Sequence, residues 1–235
     1  MKRLIIASTS TIYGGNYLNY LLEDLKVLFK NAETVLFIPY ARPGGITHKE
    51  YTLKAAEAFK IIGKKLKGIH EFDDPIKAIE NTEAIFVGGG NTFVLVNQLY
   101  KNNLIQPIIK AVNGGTPYLG TSAGSNICGL TINTTNDMPI VYPPSFKTFG
   151  FVPFNINPHY LDPIEDSKHM GETRETRIKE FHKFNTQPVI GLREGSWIDV
   201  NGDNLILKGS LDARIFEYGK QPYEISPSSA LNDLN

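Results

Sequence analysis

Residues 117–124 read Pro117-Tyr118-Leu119-Gly120-Thr121-Ser122-Ala123-Gly124, a short apolar run that stops at glycine and passes through a serine between small residues. The spacing is G-x-S-x-G, and its setting has mechanical content: a strand ends at Leu119–Gly120 and a helix starts after Ser122. In such an elbow, small flanking residues let the chain turn sharply and expose the serine oxygen. The helix that follows presents N–H groups and the positive end of its dipole. The strand feeding the elbow has company. Residues 3–8, 34–38, 66–69 and 84–87 are further short runs, several apolar on both faces. Between the first two, Leu18, Leu21, Leu22, Leu25 and Leu28 recur at helical spacing, and residues 49–62, 92–101 and 104–112 behave likewise. Strands buried on both faces and separated by amphipathic helices predict an α/β fold: a mostly parallel sheet with helices on both faces.

After Cys128 the pattern changes. Residues 131–145 are rich in Thr, Asn and Pro and read as irregular. Residues 151–156 are expected as a strand, 172–184 as a polar-faced helix and 189–192 as another buried strand. Residues 197–200 and 204–207 flank Asn201-Gly202-Asp203, a turn signal that predicts a β-hairpin near the C-terminus. Residues 213–218 add a strand, and the Pro/Ser/Asn-rich stretch from Gln221 is expected to be a mobile tail. No linker or internal repeat divides the chain, so residues 1–235 are expected to form one domain.

The chain has 235 residues, with 24 Lys+Arg against 24 Asp+Glu and a formal net charge of zero. That balance leaves no electrostatic footprint for nucleic acid and no polybasic membrane anchor. A single cysteine forms neither an internal disulfide nor a Cys-rich zinc site. The first residues imitate a secretion signal, but the apolar run gives way at Ser8-Thr9-Ser10-Thr11, short of the roughly 7–15 residues required. No apolar run reaches the roughly 18 residues of a membrane span. A cytoplasmic protein is the expectation.

A second glycine-rich segment, Gly88-Gly89-Gly90-Asn91, follows one apolar strand and precedes a helix. Three glycines permit close backbone approach and suit N–H donors aimed at an oxyanion. No Lys-Ser/Thr pair follows as a phosphate loop would need. A serine nucleophile requires a base. Of five histidines, His70 also ends a strand, but His159 follows the apolar strand 151–156 through Asn157-Pro158, at the outgoing end where a base facing Ser122 belongs. Two acids compete to orient it: Asp137, in the irregular stretch after the elbow, and Glu194, at the outgoing end of residues 189–192 and slightly favoured by position. A metal alternative rests on His159, Asp162, Glu165, Asp166 and His169, but Pro163 interrupts any helical register and no metal-ligand spacing accompanies them. Cys128 reads as a buried small apolar residue rather than a nucleophile.

Taken together these segments resemble the peptidase E family of serine peptidases, the α-aspartyl dipeptidases. The matching blocks run in order: Val87 to Phe93, Gly120 to Asn126, Thr134 to Ile140, Ile156 to His159, Gly171 to Arg177 and Gly191 to Trp197. The resemblance implies a fold similar to class I glutamine amidotransferases, with serine in place of cysteine at the elbow. It also implies hydrolysis of dipeptides with an amino-terminal aspartate, without metal or organic cofactor. Carried over, Ser122 is the nucleophile, His159 its base, and either Asp137 or Glu194 the third member. Gly88, Gly89, Gly90 and the Ala123 N–H correspond to the oxyanion donors, and Asn91 joins the substrate-binding set.

The aspartate side chain needs a fixed cation, best an arginine. Arg174 and Arg177 are the candidates, ahead of Arg193. The expected partner is a small dipeptide, with no nucleic acid and no membrane, and a homodimer is allowed. Three rivals stand beside this reading: a cyanophycinase-like β-aspartyl peptidase, an α/β-hydrolase esterase using Ser122, Asp137 and His159 in that order, and a small-molecule binder that keeps the elbow as a scaffold.

Overall fold

The apolar runs of the first half become strands β1 (Arg3–Ala7), β2 (Thr34–Ile38), β3 (Lys65–Gly68), β4 (Ile85–Val87) and β5 (Tyr118–Thr121). The second half adds β6 (Asn155–Pro158), β7 (Val189–Leu192), β8 (Trp197–Asn201), β9 (Asn204–Lys208), β10 (Ala213–Phe216) and β11 (Tyr223–Ile225). The helices are α1 (Leu22–Leu28), α2 (His48–Ile61), α3 (Pro75–Glu80), α4 (Thr92–Lys101), α5 (Ile105–Asn113), α6 (Ala123–Asn126) and α7 (Arg174–Phe181). The computed structural model describes residues 1–164, 168 and 170–234.

A seven-stranded sheet runs in the order β3-β2-β4-β5-β1-β8-β9. Its first five strands are parallel, and the β8–β9 hairpin is antiparallel, turning through Gly202 at φ +64°. Alternation along each strand decides which helices cover which face. Phe37, Phe86 and Leu119 point to one side and pack with Leu25, Leu28, Ala55 and Phe59 of α1 and α2. Their chain neighbours Leu36, Ile85 and Tyr118 point to the other, against Leu95, Leu99, Ile108 and Val112 of α4 and α5. A strand covered on both faces has no polar side to show, hence the uninterrupted apolar runs.

The second sheet, β11-β10-β7-β6, contributes Ile156, Ile190 and Ile215 to the same core as α4 and α5. Here the elements differ from the sequence expectation. The strand expected at 151–156 lies at Asn155–Pro158 instead. Phe151 and Val152 are buried, but their N–H groups donate to the Cys128 carbonyl after the elbow helix, so they join no ladder. The helix expected at 172–184 starts only at Arg174, where the Thr173 hydroxyl accepts the Thr176 N–H as cap. The stretch from Gln221, expected to be loose, is tied down. Residues 223–225 pair with β10, the Leu207 N–H donates to the Ser229 carbonyl, and Leu231 and Leu234 are buried. Composition registers the Pro and Ser there but not the few apolar anchors.

The topology sets the carboxyl ends of β4, β5 and β1 side by side, which is where open α/β sheets bind ligands. Among the described residues, no helix is long and apolar enough to cross a membrane.

Candidate active site

Ser122 sits immediately after β5 at φ +54°, ψ −112°, a conformation that L residues rarely adopt. The glycines around it are steric requirements. A Cβ on Gly124 would run into the carbonyl of Val87 on β4, and one on Gly120 into the carbonyl of Gly124. The turn is further pinned to β1, because the Ser122 N–H and the Ser125 hydroxyl both donate to the Ala7 carbonyl, at 3.1 and 2.6 Å.

His159 leaves β6 with φ +54° and turns its ring toward the elbow. Its Nε2 lies 2.8 Å from Ser122 Oγ, and its Nδ1 lies 2.6 Å from Glu194 Oε1. A carboxylate only accepts, so Nδ1 carries the proton and donates to Glu194; Nε2 is then left to accept from the Ser122 hydroxyl. The backbone of His159 is held as well. Its N–H donates to Ser8 Oγ at 2.9 Å, and that hydroxyl donates to the Leu192 carbonyl at 2.6 Å. One buried hydroxyl at the end of β1 thus ties the ends of β6 and β7 together.

Asp137 is not joined to His159. Its Oδ2 accepts the Thr92 N–H at 2.7 Å, the Thr92 hydroxyl at 2.6 Å and the Thr135 hydroxyl at 3.2 Å. It therefore places a negative charge at the first turn of α4, where the helix dipole favours one. The residues so connected follow the chain order Ser122, His159, Glu194, which is not the serine–acid–histidine order of an α/β-hydrolase esterase.

The glycine loop reaches the nucleophile closely: a Cβ on Gly89 would stand 2.8 Å from that of Ser122. Two of its three N–H groups are engaged elsewhere. Gly88 donates to the Ile38 carbonyl at 3.2 Å and Gly89 to the Tyr51 hydroxyl at 3.0 Å. Gly90, at φ +143° against the backbone of Ala41, keeps an N–H without a protein acceptor among the described residues, as does Ala123. The oxyanion donors expected at Gly88 and Gly89 are thus occupied within the fold, because neighbouring groups satisfy them before a ligand could. Asn91 is also committed: its Oδ1 caps α4 through the Val94 N–H, and its Nδ2 donates to the Met138 carbonyl.

Of the three arginines, Arg193 is taken. It forms a bidentate pair with Asp162 at 2.6 and 2.8 Å, a second pair with Glu224 and a bond to the Asp212 carbonyl. Arg174 is the opposite case. It opens α7 half-buried, with its Nε lacking any partner among the described residues. Burial holds its pKa below the usual arginine value, Arg177 adds to that, and Asp137 opposes it. Arg174 and the exposed Arg177 line a cleft of about 380 Å³ together with Asn136, Leu161, Pro163 and Thr173. In the metal alternative, Glu165, Asp166 and His169 lie outside the described residues, while His159 and Asp162 are bound as above. Sequence reasoning missed Ser8 and Tyr51. Each reads as an ordinary element residue, Ser8 ending a strand and Tyr51 on the apolar stripe of α2, and only contact across the fold shows its use.

A doubly covered parallel sheet, a strained serine at the end of a central strand and a histidine–carboxylate pair on its hydroxyl define a serine hydrolase of the α/β class. Residues 4–208 match the family model for peptidase family S51. The chain belongs to that family and is a serine dipeptidase. It is 46% identical over 231 residues to Peptidase E of Streptomyces coelicolor, covering 98% of this chain and 94% of that one. To a probable alpha-aspartyl dipeptidase of Drosophila melanogaster it is 44% identical, covering 99% and 97%. Among solved structures, its fold is similar to a peptidase from an acI-B1 actinobacterium (TM-score 0.74, 17% identity, 98% and 96% covered). A putative peptidase E protein from Listeria monocytogenes EGD-e is also similar (TM-score 0.66, 21% identity, 89% and 98% covered).

Proposed function

We propose that the protein hydrolyses dipeptides whose amino-terminal residue is aspartate, through an acyl-enzyme on Ser122, in the cytoplasm. The observation that carries this reading is the unbroken chain Ser122 Oγ–His159 Nε2, His159 Nδ1–Glu194 Oε1. His159 takes the hydroxyl proton as Ser122 attacks the aspartyl carbonyl, and Glu194 stabilises the imidazolium that forms. The Gly90 and Ala123 N–H groups receive the oxyanion; one such donor is typically worth about 2.7–4 kcal/mol in the transition state. His159 then protonates the departing amine, and water repeats the sequence on the ester.

Arg174 is the cation proposed for the aspartate side chain, with Arg177 beside it. A half-buried guanidinium that no carboxylate pairs with among the described residues meets a carboxylate at less further desolvation cost than an exposed one would. The relative named for alpha-aspartyl dipeptides supports the same substrate.

The test is hydrolysis of Asp-Leu, Glu-Leu, β-Asp-Leu and a p-nitrophenyl ester by the wild type and Ser122→Ala. Cleavage of Asp-Leu in preference to the others, lost in the variant, is expected. Ester turnover without Asp-Leu cleavage would overturn the substrate, and activity surviving Ser122→Ala would overturn the nucleophile. A cyanophycinase-like activity would show as preference for the β-linked peptide.

A further inference from the structure

A dipeptide carries two carboxylates, and Arg174 accounts for only one. The departing residue ends in the other, a single carbon away from the nitrogen that leaves. Its counter-charge must therefore lie close to Ser122, apart from the cation that receives the aspartate side chain.

Arg42 stands there. It follows Ala41, whose carbonyl accepts the Asn91 N–H at 2.7 Å and whose backbone lies against Gly90. Its guanidinium carbon is 4.9 Å from the centroid of the Tyr51 ring. The Tyr51 hydroxyl holds Gly89, and Gly89 abuts Ser122. Tyr17 meets the same ring edge-on, with centroids 6.5 Å apart. These aromatics belong to the face packed by α1 and α2. Asp137, beside Arg174, anchors instead to α4, whose apolar residues pack on the opposite face. Arg42 thus borders the site from the face covered by α1 and α2, whereas Arg174 borders the loop of residues 133–136 that leads to Asp137.

Arg42 is exposed, and no carboxylate pairs with it among the described residues. Resting a guanidinium on an aromatic face fixes its position without neutralising it, so the planar fork stays available to a ligand carboxylate.

We propose that Arg42, seated on Tyr51 beside Tyr17, receives the terminal carboxylate of the departing residue and so confines the enzyme to dipeptides. This rests on the reading of the site as an aspartyl dipeptidase. A longer peptide presents an uncharged amide where the carboxylate would be and loses the charge-assisted contact.

The experiment compares kcat/KM for Asp-Leu and Asp-Leu amide in the wild type, Arg42→Ala and Arg42→Lys, with thermal unfolding as a check on folding. In the wild type the free acid should be preferred by on the order of tenfold or more, chiefly through KM. In Arg42→Ala that ratio should collapse toward one, and Arg42→Lys should restore part of it. Equal use of acid and amide by the wild type would overturn the proposal, as would a ratio unmoved by Arg42→Ala. Those outcomes leave aspartyl dipeptidase activity standing. Failure of the wild type to cleave either peptide would overturn the underlying reading, and this proposal with it.

Discussion

The hydroxyl of Tyr51 on α2 engages both backbone polar groups of Gly89, accepting from its N–H at 3.0 Å and lying 3.3 Å from its carbonyl oxygen. Tyr51 is 2% exposed, so this contact is made away from water. It orients the glycine loop and leaves Gly90, not Gly89, to present a donor. Tyr51→Phe keeps the packing against Phe37 but leaves a buried N–H without an acceptor, at about 1–3 kcal/mol of stability. The expected result is a kcat lower by about tenfold with little change in KM, since a loosened oxyanion loop weakens transition-state contacts most. Steady-state kinetics beside a urea melt would separate the two effects; an unchanged kcat would mean the loop is held by other contacts.

Glu194→Gln and Asp137→Asn should fail differently. The first puts an amide on His159 Nδ1 and disturbs the tautomer that leaves Nε2 able to accept, so kcat should fall by roughly 10²–10⁴. The second weakens two contacts to Thr92 at the start of α4 and one to Thr135, and should act on stability, by about 1–2 kcal/mol, and on KM, through Arg174 nearby. A larger kcat loss for Asp137→Asn than for Glu194→Gln would reverse the assignment of the third member.

Ser8→Ala removes the hydroxyl that accepts the His159 N–H and donates to the Leu192 carbonyl. Because Ser8 is fully buried, both partners lose a bond that water does not readily replace, and stability should drop by about 1–3 kcal/mol. The positive-φ backbone of His159 is then less firmly held, and kcat should decline although no catalytic group has been altered. A Ser8→Ala enzyme with wild-type kcat would show that the ring contacts alone position His159.

Arg193 connects the loops that follow β6 and β7. Its hydrogen bonds hold the Asp162 and Glu224 carboxyls below the usual carboxylate range, and they in turn raise its own pKa. A carboxyl whose pKa is lower folded than unfolded stabilises the fold above its unfolded value, about 4, and that contribution disappears as pH falls through the folded value. Wild-type stability should therefore drop steeply below about pH 4, whereas Arg193→Met should be less stable at pH 7 and flatter in acid. Thermal unfolding across pH 3–7 (an approximate range) tests this; parallel curves for the two proteins would exclude the network as the source.

What could be read ahead of the structure was whatever depends on local spacing. The elbow at Gly120–Gly124, the alternation of Leu36 with Phe37 and the exit of His159 from an apolar segment are all written in neighbouring residues. The third member was not, because position favours Glu194 over Asp137 only slightly until one of these loop acids meets the imidazole. Glycine content likewise showed that residues 88–90 could approach the nucleophile closely, but not that Tyr51 and Ile38 would take two of their donors. Arg193 stayed a third choice behind Arg174 and Arg177 but was not excluded, because an arginine does not reveal in one dimension whether acids such as Asp162 and Glu224 will close on it.

By itself the sequence determined a doubly covered parallel sheet, a C-terminal hairpin and a serine at a strand-to-helix elbow. These follow from steric and hydrophobic rules acting over a few residues at a time. Only the tertiary structure decided that Glu194 completes the chain to Ser122, that Ser8 ties His159 to β7 and that Arg174 keeps an unpartnered guanidinium nitrogen. Each of those outcomes is a choice of hydrogen-bond partner between segments far apart in sequence, and a choice of partner exists only once the chain has folded.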